Sequence, residues 1–354
     1  MHVYVFWRMA VTPVITNHLS RRWLCVIAGL LWASYPMARI IQAWHWSAIE
    51  RPFEFLGALW IGTLFLLFCA TLVTDVITLG GFVFTRVAPQ MRAGMLGLAG
   101  VLAALAIVQG LRPPVIRDYE VSLPGLPKER DGLVLAEVSD IHLGTLIGAR
   151  WLERLVTDVN TLRPDIIIMA GDIVDGNVER VQPFVPLLKK LQAPLGVWAV
   201  TGNHEFYAGL ARSLAVFESA GFSVLRDRWA EVAPGLVLAG VDDLTARREF
   251  GEDGDPVAQA LSGRPKGATI FVSHSPLQAD VAVRHGAGLM LCGHTHNGQI
   301  WPFKYLVQLR YRLIGGRYQV GSMPVIISRG AGTWGPRMRL WWPSEIVRIK
   351  LRAA

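Results

Sequence analysis

Residues 165–175 read DIIIMAGDIVD, in which the apolar run 166–170 is followed at once by Gly171 and Asp172. A short apolar run between a charged residue and a glycine predicts a strand that is buried on both faces. Similar runs predict further strands at 133–138, 197–200, 236–241, 269–272, 289–291, 324–328 and 346–351. Apolar residues at helical spacing predict a helix over 151–162, and Pro164 ends it. This alternation predicts an α/β sandwich for residues 131–354.

The first third of the chain has a different composition. Residues 1–111 contain seven Arg, no Lys and three acidic residues, and the rest contains 28 basic and 24 acidic residues. Apolar runs at about 23–41, 55–79 and 93–111 are long enough to cross a hydrocarbon core of ~30 Å as helices. Tryptophans near the run ends suit the membrane interface: Trp23, Trp44, Trp46 and Trp60. We therefore predict a three-helix transmembrane region over 1–111 in a multi-pass protein of the cell membrane.

The arginines that flank these runs predict the orientation. Five lie on one side (Arg8, Arg21, Arg22, Arg86, Arg92) and four on the other (Arg39, Arg51, Arg112, Arg117). The positive-inside rule then predicts a cytoplasmic N-terminus and an extracytoplasmic C-terminal domain. Residues 112–130 hold four prolines and predict an extended tether between the two parts. The net charge of +8 has no dense basic cluster, which favours membrane lipids over nucleic acid as a partner.

Side chains that bind metals follow nearly every predicted strand in the polar part. They are Asp140, His142, Asp172, Asp175, Asn203, His204, His274, His294 and His296. Five of the six histidines after residue 130 belong to this set, and only His285 does not. Strand ends of an α/β sheet meet in one crevice, so we expect these groups to converge there. A mixed oxygen and nitrogen site suits Mn, Fe, Zn or Ni, and glycines before Asp172, Asn203 and His294 permit tight turns and close backbone approach.

The order D-x-H, GD-x-x-D, GNHE, H and GHTH resembles the calcineurin-like metallophosphoesterase superfamily. With the apolar runs and the sequence SRGAG at 328–332, the chain is similar to membrane-anchored bacterial members. The resemblance implies a four-layer metallophosphoesterase α/β sandwich over 131–354, preceded by the three-helix transmembrane region. Members often have a hydrophobic segment before a stretch like residues 2–4 here, so we expect a fourth span to precede this start site.

The resemblance also implies a role for each matching position. Asp140, His142, Asp172 and His296 would hold one divalent metal ion, and Asp172, Asn203, His274 and His294 a second, with Asp172 shared. His204 would be the acid that protonates the leaving group or orients the phosphate, with Asp175 as its partner. Two such ions, with Mn expected and Fe, Zn or Ni as alternatives, lower the pKa of a bridging water that attacks phosphorus. The predicted activity is hydrolysis of a phosphoester or pyrophosphate bond.

The stretch after His296 bears on the substrate. It contains Trp301, Phe303, Lys304 and Tyr305, then arginines and tyrosines at 310–312 and 317–318; Trp334, Arg337, Arg339, Trp341 and Trp342 form a similar patch. An ordinary surface loop would have this composition. A rim that holds an acyl chain and an anionic head group would also have it. The second interpretation predicts a lipid-linked envelope substrate, such as a nucleotide-diphosphate acyl-sugar.

Two other functions compete with the phosphoesterase. One is a membrane transporter with a regulatory domain, which we disfavour because Arg39 and Asp75 sit towards run ends and we expect no buried charge in the apolar runs. The other is a scaffold that binds phosphate ligands without turnover, which we disfavour because no ligand position is missing. Three cysteines exclude a disulfide framework. The sequence predicts nothing about the oligomeric state.

Overall fold

The computed structural model describes residues 1–43 and 47–354. The chain forms two compact units. The first contains Met1–Leu111 and Gly335–Trp341, and the second contains Arg112–Trp334 and Trp342–Ala354. Trp44 and Trp46, which were expected near a membrane interface, lie outside the described residues.

The described part of the first unit contains five α-helices: α1 (His2–Ala10), α2 (Pro13–Thr16), α3 (Arg21–Ala43), α4 (Ser47–Thr78) and α5 (Ala88–Leu111). Three segments are long and apolar enough to cross a membrane: Arg21–Ile41, Ile49–Gly81 and Ala88–Leu111. Each covers one predicted run and starts before it, because the helix includes polar residues that precede the run. The three predicted apolar helices are therefore confirmed.

The expectation that no charge is buried in this part of the chain is wrong. Asp75 on α4 is 8% exposed and accepts hydrogen bonds from Arg8 Nε at 2.5 Å and Arg92 Nη2 at 2.9 Å. The Tyr4 hydroxyl also donates to this carboxylate. Sequence reasoning missed the cluster because it did not recognise α1, the helix that brings Tyr4 and Arg8 to Asp75.

The second unit contains two six-stranded mixed sheets. Their strands are β1 (Val115–Leu123), β2 (Val134–Val138), β3 (Ile166–Ala170), β4 (Val197–Val200), β5 (Ser223–Val224), β6 (Arg228–Ala233), β7 (Leu236–Gly240), β8 (Ala268–Val272), β9 (Leu289–Cys292), β10 (Gly316–Val320), β11 (Met323–Ile327) and β12 (Glu345–Ala353). The order is β1-β12-β2-β3-β4-β5 in one sheet and β10-β11-β9-β8-β7-β6 in the other. Strands β2 to β5 run parallel, as do β11, β9, β8 and β7.

The two sheets pack face to face, with helices on both outer faces. Ile166 and Ile168 of β3 share a core with β7 and β8 of the other sheet. Ile167 and Met169 point the other way, into a core with α6 and α9. The helices of this unit are α6 (Ala149–Thr161), α7 (Val185–Leu188), α8 (Asn203–Ala208), α9 (Leu210–Ser219), α10 (Leu244–Glu249), α11 (Pro256–Leu261), α12 (Ala279–Arg284) and α13 (Lys304–Arg310). Burial on both faces explains the unbroken apolar runs and confirms the four-layer sandwich.

The predicted tether over 112–130 is wrong for its central part. Residues Val115–Leu123 form β1, which pairs in parallel with β12 along nine residues. Val121 and Leu123 are fully buried, and the residues between the buried positions face outward. The prolines flank this strand rather than interrupt it. The segment is therefore part of a sheet and not a solvated tether. The second unit thus begins at Arg112 rather than at residue 131.

Residues Gly335–Trp341 group with the first unit, although they were predicted to belong to the catalytic part. The Arg339 amide donates to the Ala106 carbonyl on α5 at 2.8 Å. Gly110 permits this approach, because a Cβ there would lie 2.6 Å from the Arg337 carbonyl oxygen. Arg337 and Arg339 are buried and do not form the surface patch that we expected.

Candidate metal centre

The carboxyl ends of five strands bring all nine predicted site residues together. Each strand supplies its members from the loop that follows it: Asp140 and His142 after β2, Asp172 and Asp175 after β3, Asn203 and His204 after β4, His274 after β8, and His294 and His296 after β9. The carboxyl ends of parallel strands meet at one edge, and here two sheets contribute edges side by side. The predicted convergence is therefore present in the structure.

The ligand-type atoms lie close together. His274 Nε2 is 3.1 Å from Asp172 Oδ2, and His296 Nε2 is 3.4 Å from Asp140 Oδ1. His142 Nε2 lies 3.1 Å from His296 Nε2. Three groups each have their ligand atoms within 4.8 Å of one another: Asp140, His142 and His296; His142, Asp172 and His204; Asp172, His274 and His294.

The chemistry of these donors fits divalent cations. His274 Nδ1 is 2.7 Å from the Ala170 carbonyl, which holds the proton on Nδ1 and leaves the lone pair of Nε2 directed at Asp172. Burial alone would lower the pKa of His274, but the Asp172 and Asp140 carboxylates raise it well above its ordinary value. The two carboxylates therefore stabilise a positive charge beside Nε2, and a bound cation would supply that charge.

The backbone at the site has an uncommon conformation. Five predicted ligands have positive φ angles, a backbone conformation that residues other than glycine rarely adopt. The angles are 52° at Asp140, His142 and Asp172, 71° at His294 and 48° at His296. Such conformations cost about 1–3 kcal/mol each and concentrate at functional sites. These loop conformations thus lower the stability of the fold, and they direct the five side chains into one cluster.

Two glycines make the close packing around the carboxylates sterically feasible. A Cβ on Gly202 would lie 2.1 Å from Asp172 Oδ1, and one on Gly293 would lie 2.3 Å from Asp140 Oδ2. Gly171 serves the turn itself, because its φ is +85°. The expected close approach therefore applies at Gly202 and Gly293, and the expected tight turn applies at Gly171.

Glu205 orders the loop that carries Asp172. Its buried carboxylate accepts hydrogen bonds from the amides of Asp172 at 3.0 Å, Ile173 at 2.8 Å, Val174 at 2.8 Å and Gly202 at 2.6 Å. Glu205 directly follows His204 in the sequence and is not among the predicted site residues. These hydrogen bonds identify Glu205 as a residue that positions Asp172 through the backbone of its loop.

His204 lies at the edge of the cluster and pairs with Asp175. Its Nδ1 is 2.8 Å from Asp175 Oδ1, as the predicted partnership requires. Burial disfavours the imidazolium, but Asp172 and Asp175 together raise the pKa of His204 to about 9. The rings of Tyr207 and Trp334 lie 5.6 and 6.3 Å from the His204 ring.

Sequence reasoning missed Tyr311 as part of the site. The Tyr311 hydroxyl is 2.7 Å from His294 Nε2, and His294 Nδ1 is 2.9 Å from Asn203 Oδ1. A hydrogen bond at Nε2 orients the ring and leaves Nδ1 beside the other ligands. Only the aromatic and basic character of 310–312 signalled this segment.

We expect Tyr311→Phe to weaken the affinity for the ion near His294 by about 10–100-fold, the range for loss of such a supporting hydrogen bond. Titration of the metal-free full chain with Mn²⁺ measures this, with Tyr305→Phe as the matched control because Tyr305 is 55% exposed. Equal affinities in both variants would show that the hydroxyl does not support His294.

Comparison with known proteins gives a consistent result. A family model described as calcineurin-like phosphoesterase matches residues 133–298. This range contains all nine predicted site residues.

Relatives extend the match beyond that range. A zebrafish (Danio rerio) transmembrane protein with metallophosphoesterase domain is 34% identical over 269 residues, which cover 73% of this chain and 62% of that protein. An uncharacterized metallophosphoesterase of Helicobacter pylori is 34% identical, covering 69% and 65%. One from Aquifex aeolicus is 32% identical, covering 67% of this chain and 91% of that protein. The chain thus spans somewhat less than two thirds of the first two relatives and nearly all of the third. It belongs to the calcineurin-like metallophosphoesterase family.

Proposed function

We propose that the chain is a membrane-anchored phosphoesterase that depends on two divalent metal ions. The observation that carries the proposal is the convergence of three overlapping ligand groups on one buried cluster, in which Asp172 belongs to two groups. Asp140, His142, Asp172 and His296 would hold one ion, and Asp172, Asn203, His274 and His294 the other. Bound ions would lower the pKa of water and neutralise charge on the phosphoryl oxygens.

His204 supplies the proton for the leaving group in this proposal. It reaches the cluster edge, its Nδ1 lies 2.8 Å from the Asp175 carboxylate, which favours the protonated ring, and its Nε2 is free of that contact. Asp175 holds Nδ1 and thereby orients the ring. General acid catalysis of this kind contributes about 10²–10⁴-fold in rate.

His204→Ala is expected to lower kcat for an aryl phosphodiester by about 10²-fold or more while leaving the metal content unchanged. Rates and metal content are measured on the full chain in detergent, and His285→Ala, an exposed histidine outside the cluster, is the control. An unchanged kcat in His204→Ala would remove His204 from the mechanism, and loss of metal would assign it a ligand role instead.

Manganese is our proposed metal, because the donors are carboxylate, amide and imidazole groups without thiolate. Iron, zinc and nickel accept the same donors. Reconstitution of the metal-free full chain with each ion in turn tests the assignment, and Mn²⁺ is expected to restore the highest rate with an aryl phosphodiester.

We propose a lipid-linked phosphoester or pyrophosphate as the substrate. Three exposed aromatic side chains support this, since Tyr207, Phe250 and Trp334 are each more than half exposed and lie around His204 or one another. Exposed aromatic rings beside a polar centre suit a substrate with both an apolar and an anionic part. The candidate membrane spans would keep the site near such substrates.

A substrate panel tests this part of the proposal separately from the chemistry. The full chain in detergent is assayed with phospholipids, sugar-lipid diphosphates, soluble nucleotides and oligonucleotides. The proposal predicts that a lipid diphosphate has the highest kcat/KM. Faster cleavage of soluble nucleotides or of nucleic acid would overturn the lipid assignment and leave the phosphoesterase assignment intact.

The catalytic unit is proposed to lie outside the cytoplasm, on the balance of five arginines against four around the spans. A C-terminal alkaline phosphatase fusion, which is active only after export, tests this. An inactive fusion together with a fluorescent C-terminal green fluorescent protein fusion would reverse the orientation.

A further inference from the structure

Among the described helices of the second unit, α13 differs from the others in having exposed apolar side chains and no buried residue. None of its residues is buried, and Leu309 is 85% exposed. We define the α13 patch as the large exposed apolar residues on and just before this helix: Trp301, Phe303, Tyr305, Leu306 and Leu309. Several large exposed apolar side chains within one short segment of a soluble domain are typical of an interaction site.

The charged residues next to the α13 patch in the sequence are all basic. Lys304, Arg310, Arg312 and Arg317 lie in or next to it, and no Asp or Glu occurs between Asp280 and Glu345 in the sequence. The side chains of Arg310, Arg312 and Arg317 are exposed. Aromatic and leucine side chains on one surface with flanking Lys and Arg are the composition of segments that lie in a membrane interface.

We propose that the α13 patch inserts into the head-group region of an anionic bilayer leaflet. The basic residues are complementary to anionic head groups, and the aromatic side chains suit the boundary between head groups and acyl chains. A helix of seven residues is about 10 Å long, which allows it to lie in the interface but not to span it. The same chain carries three helices able to cross a membrane, so a bilayer is the surface available to it.

Both ends of this segment attach to the loop that carries His294 and His296. A Cβ on Gly298 would lie 2.3 Å from Lys304 Cα, so the start of α13 packs directly on that loop. Tyr311, directly after α13, contacts His294 through its hydroxyl. If the proposed function holds, a lipid-bound α13 restrains the loop at the catalytic centre. Membrane insertion itself does not depend on catalysis.

A spin label at position 309 tests the insertion without an activity assay. The full chain with Cys25→Ser and Cys69→Ser, in which the remaining Cys292 is buried, carries Leu309→Cys and is reconstituted into two kinds of bilayer. These contain phosphatidylcholine alone or phosphatidylcholine with phosphatidylglycerol. In the anionic bilayer we expect the label to become more accessible to oxygen and less accessible to a nickel chelate. A label at Glu218→Cys on the exposed face of α9 should stay aqueous in both.

Two results would overturn the proposal. A label at 309 that stays aqueous in both bilayers excludes insertion, and a label shielded from both reagents indicates a protein partner or a second copy instead.

A charge variant tests the electrostatic part. Arg310→Glu with Arg312→Glu should lower the ratio of membrane-inserted to aqueous label at position 309 in the anionic bilayer by at least about 25-fold. The reason is that each basic residue contributes about fivefold to the equilibrium constant for binding an anionic membrane surface. Arg150→Glu with Arg154→Glu on α6 is the matched control and should leave the ratio unchanged. Undiminished insertion in the first variant would overturn the assignment to an anionic leaflet.

Discussion

Asp172→Asn is expected to lower kcat/KM for an aryl phosphodiester by at least about 10³-fold. Its carboxylate lies 3.1 Å from His274 Nε2 and 3.8 Å from His142 Nε2, so it faces both halves of the candidate centre. An amide cannot provide the negative charge that holds two cations, and metal-derived charge stabilisation contributes several kcal/mol. That amount corresponds to about 10³-fold in rate. Rates are measured with Mn²⁺ on the full chain in detergent.

The control for this prediction is Asp280→Asn, which makes the same chemical change on a carboxylate that is 67% exposed on α12. It should keep full activity. If Asp172→Asn retained more than a tenth of the activity of the unmodified chain, Asp172 would not be the shared ligand.

Glu205→Ala is expected to lower the Tm of the second unit by about 8 °C or more. The change removes the acceptor of four backbone amides, at Asp172, Ile173, Val174 and Gly202. An unsatisfied buried donor costs about 1–3 kcal/mol, so the loss is about 4 kcal/mol at the least. For a unit of this size, each kcal/mol lowers Tm by about 2–4 °C. Thermal unfolding of the full chain in detergent, followed by tryptophan fluorescence, measures the change.

Glu218→Ala on α9 is the matched control, because Glu218 is exposed and its removal should shift Tm by less than about 2 °C. Glu205→Gln, which keeps one oxygen acceptor, should fall between the two. A Tm in Glu205→Ala equal to that of the control would mean that the loop does not depend on this carboxylate.

Sequence patterns predicted the central strands well because local and tertiary requirements agree there. Ile166–Ala170 must be apolar on both faces, since alternate side chains enter the inter-sheet core and the helix-covered core. Such a strand has a continuous apolar run, which can be recognised from the sequence alone. The candidate ligands were predictable for a related reason, because each follows a strand whose end is marked by a change from apolar to polar residues.

Other features depend on partners that are distant in sequence. Strand Val115–Leu123 is stabilised by β12, more than 200 residues later, and its own residues alternate in burial beside prolines. Tyr311 reaches His294 only because the chain turns back after α13. The buried position of Asp75 follows from α1, whose Arg8 supplies the compensating charge. None of these pairings has a local signature.

The most direct test of the proposed two-metal centre is an anomalous difference map from a crystal of the full chain loaded with Mn²⁺. Two peaks are expected, one on each side of the Asp172 carboxylate, with Asp140, His142 and His296 around one and Asn203, His274 and His294 around the other. The absence of peaks at this cluster, or a single peak that does not contact Asp172, would contradict it.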